Sequence, residues 1–320
     1  MRVSASSLSL TIVKSFMDSV FSFNFQDFSY AFLSVLLEGV PFILLGTLLS
    51  GIIDQFLPSR TMMRFLPRNA FLGICVSGLM GMVFPMCECG VVPVIRRLIN
   101  KGLPVSNAIA YMLAAPIVNP IVAISTYAAF RGQYAAEMTF LRLGVGFLVA
   151  VLAAFAVHNL SLRNVVRPGI LANLGAMPSS PAPRPMRLRI RAALGTAVND
   201  FLDVMVYFVL GVAVASVFST SLNQEVIQPL ALNDWLATGS LMIFAAILSL
   251  CSTSDAFIAA TFVSFPAVSK LAFLVFGPMM DLKLIFIYSS VFTKRFVLGL
   301  AVGLFLLVGL ICVRLTILGL

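Results

Sequence analysis

Long apolar segments, separated by short polar or basic stretches, dominate this chain of 320 residues. A helix needs about 20 predominantly apolar residues to cross the hydrocarbon core of a bilayer. Hydrophobic residues make up 60% of the chain and charged residues only 10%, a balance that no soluble globule could bury. The sequence therefore predicts an all-α polytopic membrane protein. Segments of the required length cover 28–53, 103–130, 138–158, 196–218, 271–290 and 296–318.

Two further apolar segments, 70–84 and 235–250, are shorter, and each stops at a polar break. The first break reads PMCECG from Pro85, and the second reads CSTSD from Cys251. Backbone that leaves the helix at membrane depth is tolerated only where it lines a cavity or is buried in protein. These two segments are therefore interpreted as broken or re-entrant helices, which brings the total to about eight membrane segments.

The chain reads as two related halves. Glu38 matches Asp203 at an offset of 165 positions, Cys87 matches Cys251 at 164, and Asn119 matches Asp281 at 162. An acid, a cysteine break and a Pro-x-x-Asn/Asp corner in the same order indicate an internal repeat. The predicted organisation is an N-terminal segment at 1–27, a first transmembrane repeat at 28–160, a cytoplasmic linker at 161–195 and a second transmembrane repeat at 196–320.

The positions of the basic residues suggest how the halves are oriented. If both broken segments are re-entrant, all the basic clusters fall on one side of the membrane, as the positive-inside rule favours. Each half then has three crossings, an odd number, so the two pseudosymmetric halves would be inverted repeats. A simple arrangement of eight full spans is the alternative. The clusters are Arg60, Arg64 and Arg68; Arg96, Arg97 and Lys101; the linker arginines; and Lys294 with Arg295.

The two breaks are also the predicted binding site, because interrupted segments at matching places in two halves mark the site of many transporters. Thiolate and thioether ligands select soft centres. Cys87 and Cys89 are therefore candidate ligands for a soft metalloid, with Cys251 of the other half as a third thiol. The remaining candidate substrate-binding residues are Met86, Glu88, Asn119, Ser252 and Thr253.

Acidic residues inside apolar segments are costly and are functional by default. Four of them are candidate coupling groups that carry protons in an exchange cycle, or that pair with backbone N–H groups at the ends of half-helices. They are Glu38, Asp203, Asp255 and Asp281.

The composition also limits the partners and cofactors that we expect. The net charge of +9 comes from basic residues that lie between apolar runs, which indicates membrane topology rather than nucleic-acid binding. No GxxxxGK[ST] run is present, so the chain has no P-loop of its own. We expect no cofactor, and as partners the lipid bilayer and a small-molecule or metalloid substrate. A homo-oligomer is left open.

Several long motifs resemble a known family. The runs PMCECGVVPVIRRLINKGLP, AIAYMLAAPIVNPIV, CSTSDAFIAA and FGPMMDLK closely resemble the predicted permease family that includes the ArsP-type organoarsenical efflux permeases. The resemblance covers most of the chain from Glu38 onward, apart from the linker. It implies a multi-pass permease of the bacterial inner membrane that exports trivalent organoarsenicals with cysteine involvement, and it assigns the thiol role to Cys87 and Cys89.

Two other classes of function compete with a secondary transporter. A membrane thiol-disulfide oxidoreductase could use Cys87 and Cys89, although redox pairs usually have the spacing Cys-x-x-Cys. Alternatively, the chain is the membrane subunit of a larger assembly that handles a different small solute. On balance the sequence predicts a permease and not an enzyme.

Overall fold

The computed structural model describes residues 25–56, 67, 69–84, 86–168, 185–221 and 234–317. The predicted N-terminal segment lies almost wholly outside these ranges, as do Arg60, Arg64 and Arg68. Within them every regular element is a helix, and an isolated bridge between Val166 and Phe292 is the one extended pairing. The helices of the first half are α1 Phe25–Phe56, α2 Ala70–Val83, α3 Glu88–Asn100, α4 Val105–Ala114, α5 Pro120–Ala129, α6 Ala135–Val157 and α7 Leu162–Val165.

The long and short helices of the second half come in an order similar to that of the first. The second half contains α8 Met186–Ser221, α9 Asp234–Leu248, α10 Asp255–Thr261, α11 Ala267–Met279, α12 Leu282–Val291 and α13 Lys294–Ile317. In both halves a helix of more than 30 residues precedes a helix of 14 or 15 residues and a polar break. The last long helix of each half is apolar, with 23 residues in α6 and 24 in α13. Helix α8 begins inside the stretch predicted as a linker.

Five stretches of the described chain are long and apolar enough to cross a membrane. They are α1, α6, α8, α13, and α11 taken together with α12. The predicted spans 103–130 and 271–290 are each divided into two helices. Pro120 opens α5, and the side chain of Asn119 accepts a hydrogen bond from the Ile121 amide at 2.9 Å. Asp281 caps α12 in the same way, at 2.7 Å from the Leu284 amide.

Basic and acidic side chains collect at one end of the helix bundle, which we call the ionic end. Arg97 donates to Asp200 at 2.9 Å and lies 3.5 Å from Asp54, so it joins α3 to α8 and α1. Arg96 pairs with Asp203 at 2.9 Å. The C-terminus of α6 lies at this end too, because His158 is 3.4 Å from Ser106 at the start of α4.

The start of each helix that leads into a break lies beside the start of a later helix of the same half. In the first half, a Cβ on Gly73 near the start of α2 would lie 3.0 Å from the side-chain amide nitrogen of Asn107 near the start of α4, and this nitrogen also donates to Ser77 at 3.1 Å. In the second half, Thr238 of α9 and Ser269 of α11 are 3.0 Å apart. Helix α3 runs from its break to Asn100, which lies only a few residues before α4. Thus α2 enters and α3 leaves the bundle at the same end.

Helices α1 and α8 pack against each other and hold the broken segments through glycine contacts. A Cβ on Gly46 of α1 would lie 2.2 Å from the carbonyl oxygen of Gly90 in α3. A Cβ on Gly211 of α8 would lie 2.9 Å from Cα of Lys283 in α12. Small residues at helix contacts let backbones approach closely in membranes. The two long helices therefore pack closely against different elements: α1 contacts α3, and α8 contacts α12.

Candidate functional site

The first break places a carboxylate and two thiols at the start of a half-helix. Helix α2 ends at Val83, Cys87 occupies the N-cap of α3, and Glu88 is the first residue of that helix. Glu88 is only 1% exposed, and Cys89 is similarly buried. An acidic side chain in the first turn is favoured by the partial positive charge of the helix N-terminus.

The second break is a stretch of non-helical backbone between Leu248 and Asp255. Ser249 has φ of +49°, an uncommon value for a residue other than glycine, and it turns the chain away from the axis of α9. The turn leaves the carbonyl groups of Ser249 and Leu250 without partners in a continuing helix. Both carbonyls accept hydrogen bonds from the Lys283 ammonium, at 2.8 and 3.2 Å.

The two breaks meet at a small cavity in the interior of the bundle. Ser252 of the second break donates to Oε2 of Glu88 in the first, at 3.4 Å. The cavity measures about 10 Å³, roughly the space of one water molecule. Its lining includes Glu38, Cys87, Glu88, Cys89, Cys251 and Lys283, with Gly39, Phe42 and Phe208 closing the sides towards α1 and α8.

Three thiols line this cavity. Cys87, Cys89 and Cys251 are each less than 10% exposed and are unbridged. Thr253 donates to the Cys251 sulfur at 3.7 Å, and Met86 lies beside Gly90. Within the described ranges, no group of three or more His, Cys, Asp or Glu side chains is arranged to hold a metal ion. A resident metal centre is thus not evident in this part of the chain. That criterion requires at least three ligands, so it does not address a substrate that two thiols bind.

Lys283 contacts residues of both breaks, and it was not among the residues predicted from the sequence. Its ammonium group lies 3.1 Å from Glu88 and 3.4 Å from Asp281, and it is 2% exposed. The signal that could have found it is a lysine inside an apolar segment, which is as costly there as an acid. The residues predicted on this basis were all acidic.

A second buried cation, Arg142 of α6, was missed for the same reason. One of its terminal nitrogens donates to Asp255 at 2.7 Å and to the Ser252 carbonyl at 3.0 Å. The other donates to Thr126 of α5 at 2.8 Å. A planar guanidinium suits such forked contacts. Arg142 therefore fixes the second break to two helices of the first half.

The other predicted residues lie in three different places. Glu38 lines the cavity, and Asp281 both caps α12 and faces Lys283. Asn119 caps α5 and is not part of the cavity lining. Asp203 is found at the ionic end, half-exposed and paired with Arg96. The structure thus groups the residues of the two breaks with Glu38 and leaves Asp203 apart.

The buried charges of this site do not balance. Glu88, Asp255 and Asp281 are three acids with less than 5% exposure, and in the described part of the chain two buried cations, Lys283 and Arg142, contact them. A charge in a low-dielectric interior is costly unless it is paired. A proton or a substrate cation that enters this region would offset the excess negative charge.

Comparison with known proteins adds an independent line of evidence. Residues 24–319 match the ArsP_1 family, described as predicted permease. The UPF0718 protein YcgR of Bacillus subtilis (strain 168) is 36% identical over 279 residues, which cover 86% of this chain and 92% of the relative. A candidate two-component membrane permease complex subunit of Streptococcus mutans serotype c is 33% identical over 272 residues, which cover 83% and 87%. No solved structure matches the chain.

Proposed function

The chain belongs to the ArsP_1 family of predicted permeases, and on that premise we propose that it is a secondary transporter of the bacterial inner membrane that exports a thiophilic metalloid compound. Trivalent organoarsenicals are the proposed substrate class. The observation that carries the proposal is the convergence of Cys87, Cys89 and Cys251 on one cavity beside a buried ammonium group.

The proposed binding chemistry is thiol exchange at a trivalent centre. A methylarsenite of formula CH₃As(OH)₂ reacts with two thiols to form two As–S bonds and releases two molecules of water, with no change of oxidation state. Cys87 and Cys89 are the proposed pair, and both line the cavity beside Lys283. Cys251 provides a third sulfur to which the centre can pass on its way out.

Proton coupling is proposed to use the buried acids. Glu88, Asp255 and Asp281 are buried close to Lys283 and Arg142, and Glu38 lines the same cavity as Glu88. A proton that neutralises one acid weakens the ion pair which that acid makes and so changes the contact between the breaks. Asp203 takes no direct part in this scheme, because it lies at the ionic end.

For topology, we propose that the two repeats are inverted and that each broken pair, α2–α3 and α9–α10, is re-entrant. Support comes from the matching order of helices and from the equivalent contacts Asn107–Ser77 and Thr238–Ser269. Arg97 and Arg187 both belong to segments at the ionic end, which we assign to the cytoplasm. Alternating access would then open the cavity towards one side at a time.

A second candidate function is that of a membrane subunit in a larger assembly. It is favoured by one observation, the naming of the Streptococcus mutans relative as a candidate subunit of a two-component permease complex. In that case a stoichiometric partner would co-purify with this chain and would be needed for transport. A chain that transports alone in proteoliposomes would exclude it.

The test of the thiol site compares the parent chain with Cys87→Ser/Cys89→Ser in everted vesicles, with methylarsenite as substrate and with or without a proton gradient. Serine keeps nearly the same volume but is a hard ligand, so the variant should insert normally and lose both binding and accumulation. Cys75→Ser is the matched control, since Cys75 is absent from the cavity lining. Full activity of the double variant would refute the proposal.

A further inference from the structure

An apolar groove lies between α6 and α13, away from the cavity of the two breaks. It has a volume of about 600 Å³, and Leu, Ala, Val, Phe and Gly residues form nearly all of its lining. Val157 and Leu304 form part of its floor and are buried, whereas Leu152 and Leu160 stand at its rim and are more than 40% exposed. The groove is therefore open to the surroundings of the bundle.

Two glycines keep this groove open. Gly299 and Gly303 are one helical turn apart on α13, and a Cβ at either position would meet nothing within 4 Å. Larger side chains would fit at both positions, so the open space arises from the sequence and not from poor packing. In a bilayer such a space is filled by apolar groups, since an empty groove forfeits dispersion contacts along its walls.

The length of the groove matches one leaflet. Its α13 side runs from Arg295 to Leu307, a rise of about 18 Å at about 1.5 Å per residue. Half of the hydrocarbon core is about 15 Å thick. Arg295 is the second residue of this spanning helix, so it lies at the membrane surface, and the groove reaches from there to near the midplane.

Polar groups occur only at the surface end of the groove. Arg295 and Asn164 are its two polar lining residues, and both are exposed. The short helix α7, which carries Asn164, is fixed to the start of α13, because the Thr293 hydroxyl donates to the Asn164 carbonyl at 2.8 Å. Among the described residues, no hydrogen-bond or ion-pair partner of the Arg295 guanidinium is present, and Lys294 beside it is exposed.

We propose that this groove binds one acyl chain of an anionic phospholipid, with the phosphate of its headgroup on Arg295. The apolar walls accept the chain as far as the midplane, and the guanidinium recognises the phosphate by paired hydrogen bonds. Adjacent positive charges select an anionic over a neutral headgroup. The site is distinct from the thiol cavity, and the inference does not depend on the cargo of the permease.

The headgroup contact is tested by native mass spectrometry of the full chain in detergent, titrated with phosphatidylglycerol or phosphatidylcholine that have identical acyl chains. Phosphatidylglycerol should bind more tightly. Arg295→Gln should weaken its binding about fivefold, the effect of one basic side chain near the surface, and should weaken phosphatidylcholine less, because that lipid carries the same phosphate but no net charge. Arg314→Gln, at the opposite end of α13, is the matched control and should behave like the parent.

The acyl-chain contact is tested by filling the groove. Gly303→Leu should weaken binding of both lipids, whereas Gly144→Leu, at an exposed position of α6 outside the groove, should not. Equal affinity of the parent for the two lipids would overturn the anionic headgroup. Unchanged binding in both Gly303→Leu and Arg295→Gln would overturn the site and would indicate that another part of the chain, or a second copy, fills the groove.

Discussion

The Lys283 ammonium lies 3.1 Å from Oε1 of Glu88, a residue 195 positions earlier in the chain. Both side chains are almost completely buried. The same ammonium holds two carbonyl groups of the second break, so a single cation joins the polar interruptions of the two halves.

Removal of this cation should destabilise the protein strongly. Lys283→Met leaves Glu88 and Asp281 buried without their partner, and loss of one member of a buried pair costs about 3–5 kcal/mol. Thermal unfolding of the purified chain in detergent measures the effect. Adding Glu88→Gln to Lys283→Met should recover part of the loss, because one uncompensated charge is then removed. If the effects of the two changes simply add, the pair is not coupled and this prediction fails.

Arg142→Lys should destabilise the protein even though the charge is kept. A lysine ammonium cannot reach Thr126, the Ser252 carbonyl and Asp255 in the planar arrangement that the guanidinium uses. Each hydrogen bond lost from a charged group costs about 1.5–3 kcal/mol. The control is Arg131→Lys at an exposed turn. Equal unfolding temperatures of the two variants would contradict a positioning role for Arg142.

Gly46→Val should disturb the site through the backbone. Its Cβ would lie 2.2 Å from the Gly90 carbonyl oxygen, so α1 must move away from the helix that carries Glu88. Overpacking of this kind costs about 1–3 kcal/mol, and occasionally more. Gly239→Val is the matched control, since a Cβ there meets nothing within 4 Å. The check is the unfolding temperature together with the labelling rate of the cavity thiols, which should rise only in Gly46→Val.

Glu38→Gln should separate binding from coupling. Glutamine keeps the hydrogen-bonding capacity at the cavity wall but cannot carry a proton. The variant should bind substrate as the parent does and lose accumulation driven by a proton gradient. Glu137→Gln, at an exposed position in the first turn of α6, should retain both. Gradient-driven accumulation by Glu38→Gln at the rate of the parent would show that another group carries the proton.

The local features of this site could be predicted from sequence, but the ion pairs between its buried cations and acids could not. The breaks, their thiols and the capping residues Asn119 and Asp281 follow from short motifs, because helix interruption and capping depend on neighbours along the chain. Lys283 meets Glu88 and Arg142 meets Asp255, and each of these two pairs joins residues more than 100 positions apart in the chain. Which cation meets which acid depends on tertiary packing that no short motif specifies.

The position of Asp203 shows a second limit, namely that a matching sequence offset does not predict a residue's surroundings. Its offset from Glu38 predicted an equivalent place in the second half, yet Asp203 pairs with Arg96 at the ionic end while Glu38 lines the cavity. The two long helices contact different elements, α1 the half-helix of Glu88 and α8 that of Lys283. Equivalent positions in a repeat therefore experience different surroundings once these helices have packed.

The ionic end has a consequence for how the protein acquires its orientation. Arg96, Arg97 and Lys101 face three acids in the folded protein, Asp54, Asp200 and Asp203. The mature surface at this cluster is thus nearly neutral, although orientation during insertion responds to Lys and Arg and hardly to Asp and Glu. On the proposed topology we expect positive charges to orient the newly made chain before their partners arrive, and assembly of α1, α3 and α8 then to neutralise them. Amide substitutions of the three aspartates would loosen the finished bundle without changing the direction in which the chain was inserted.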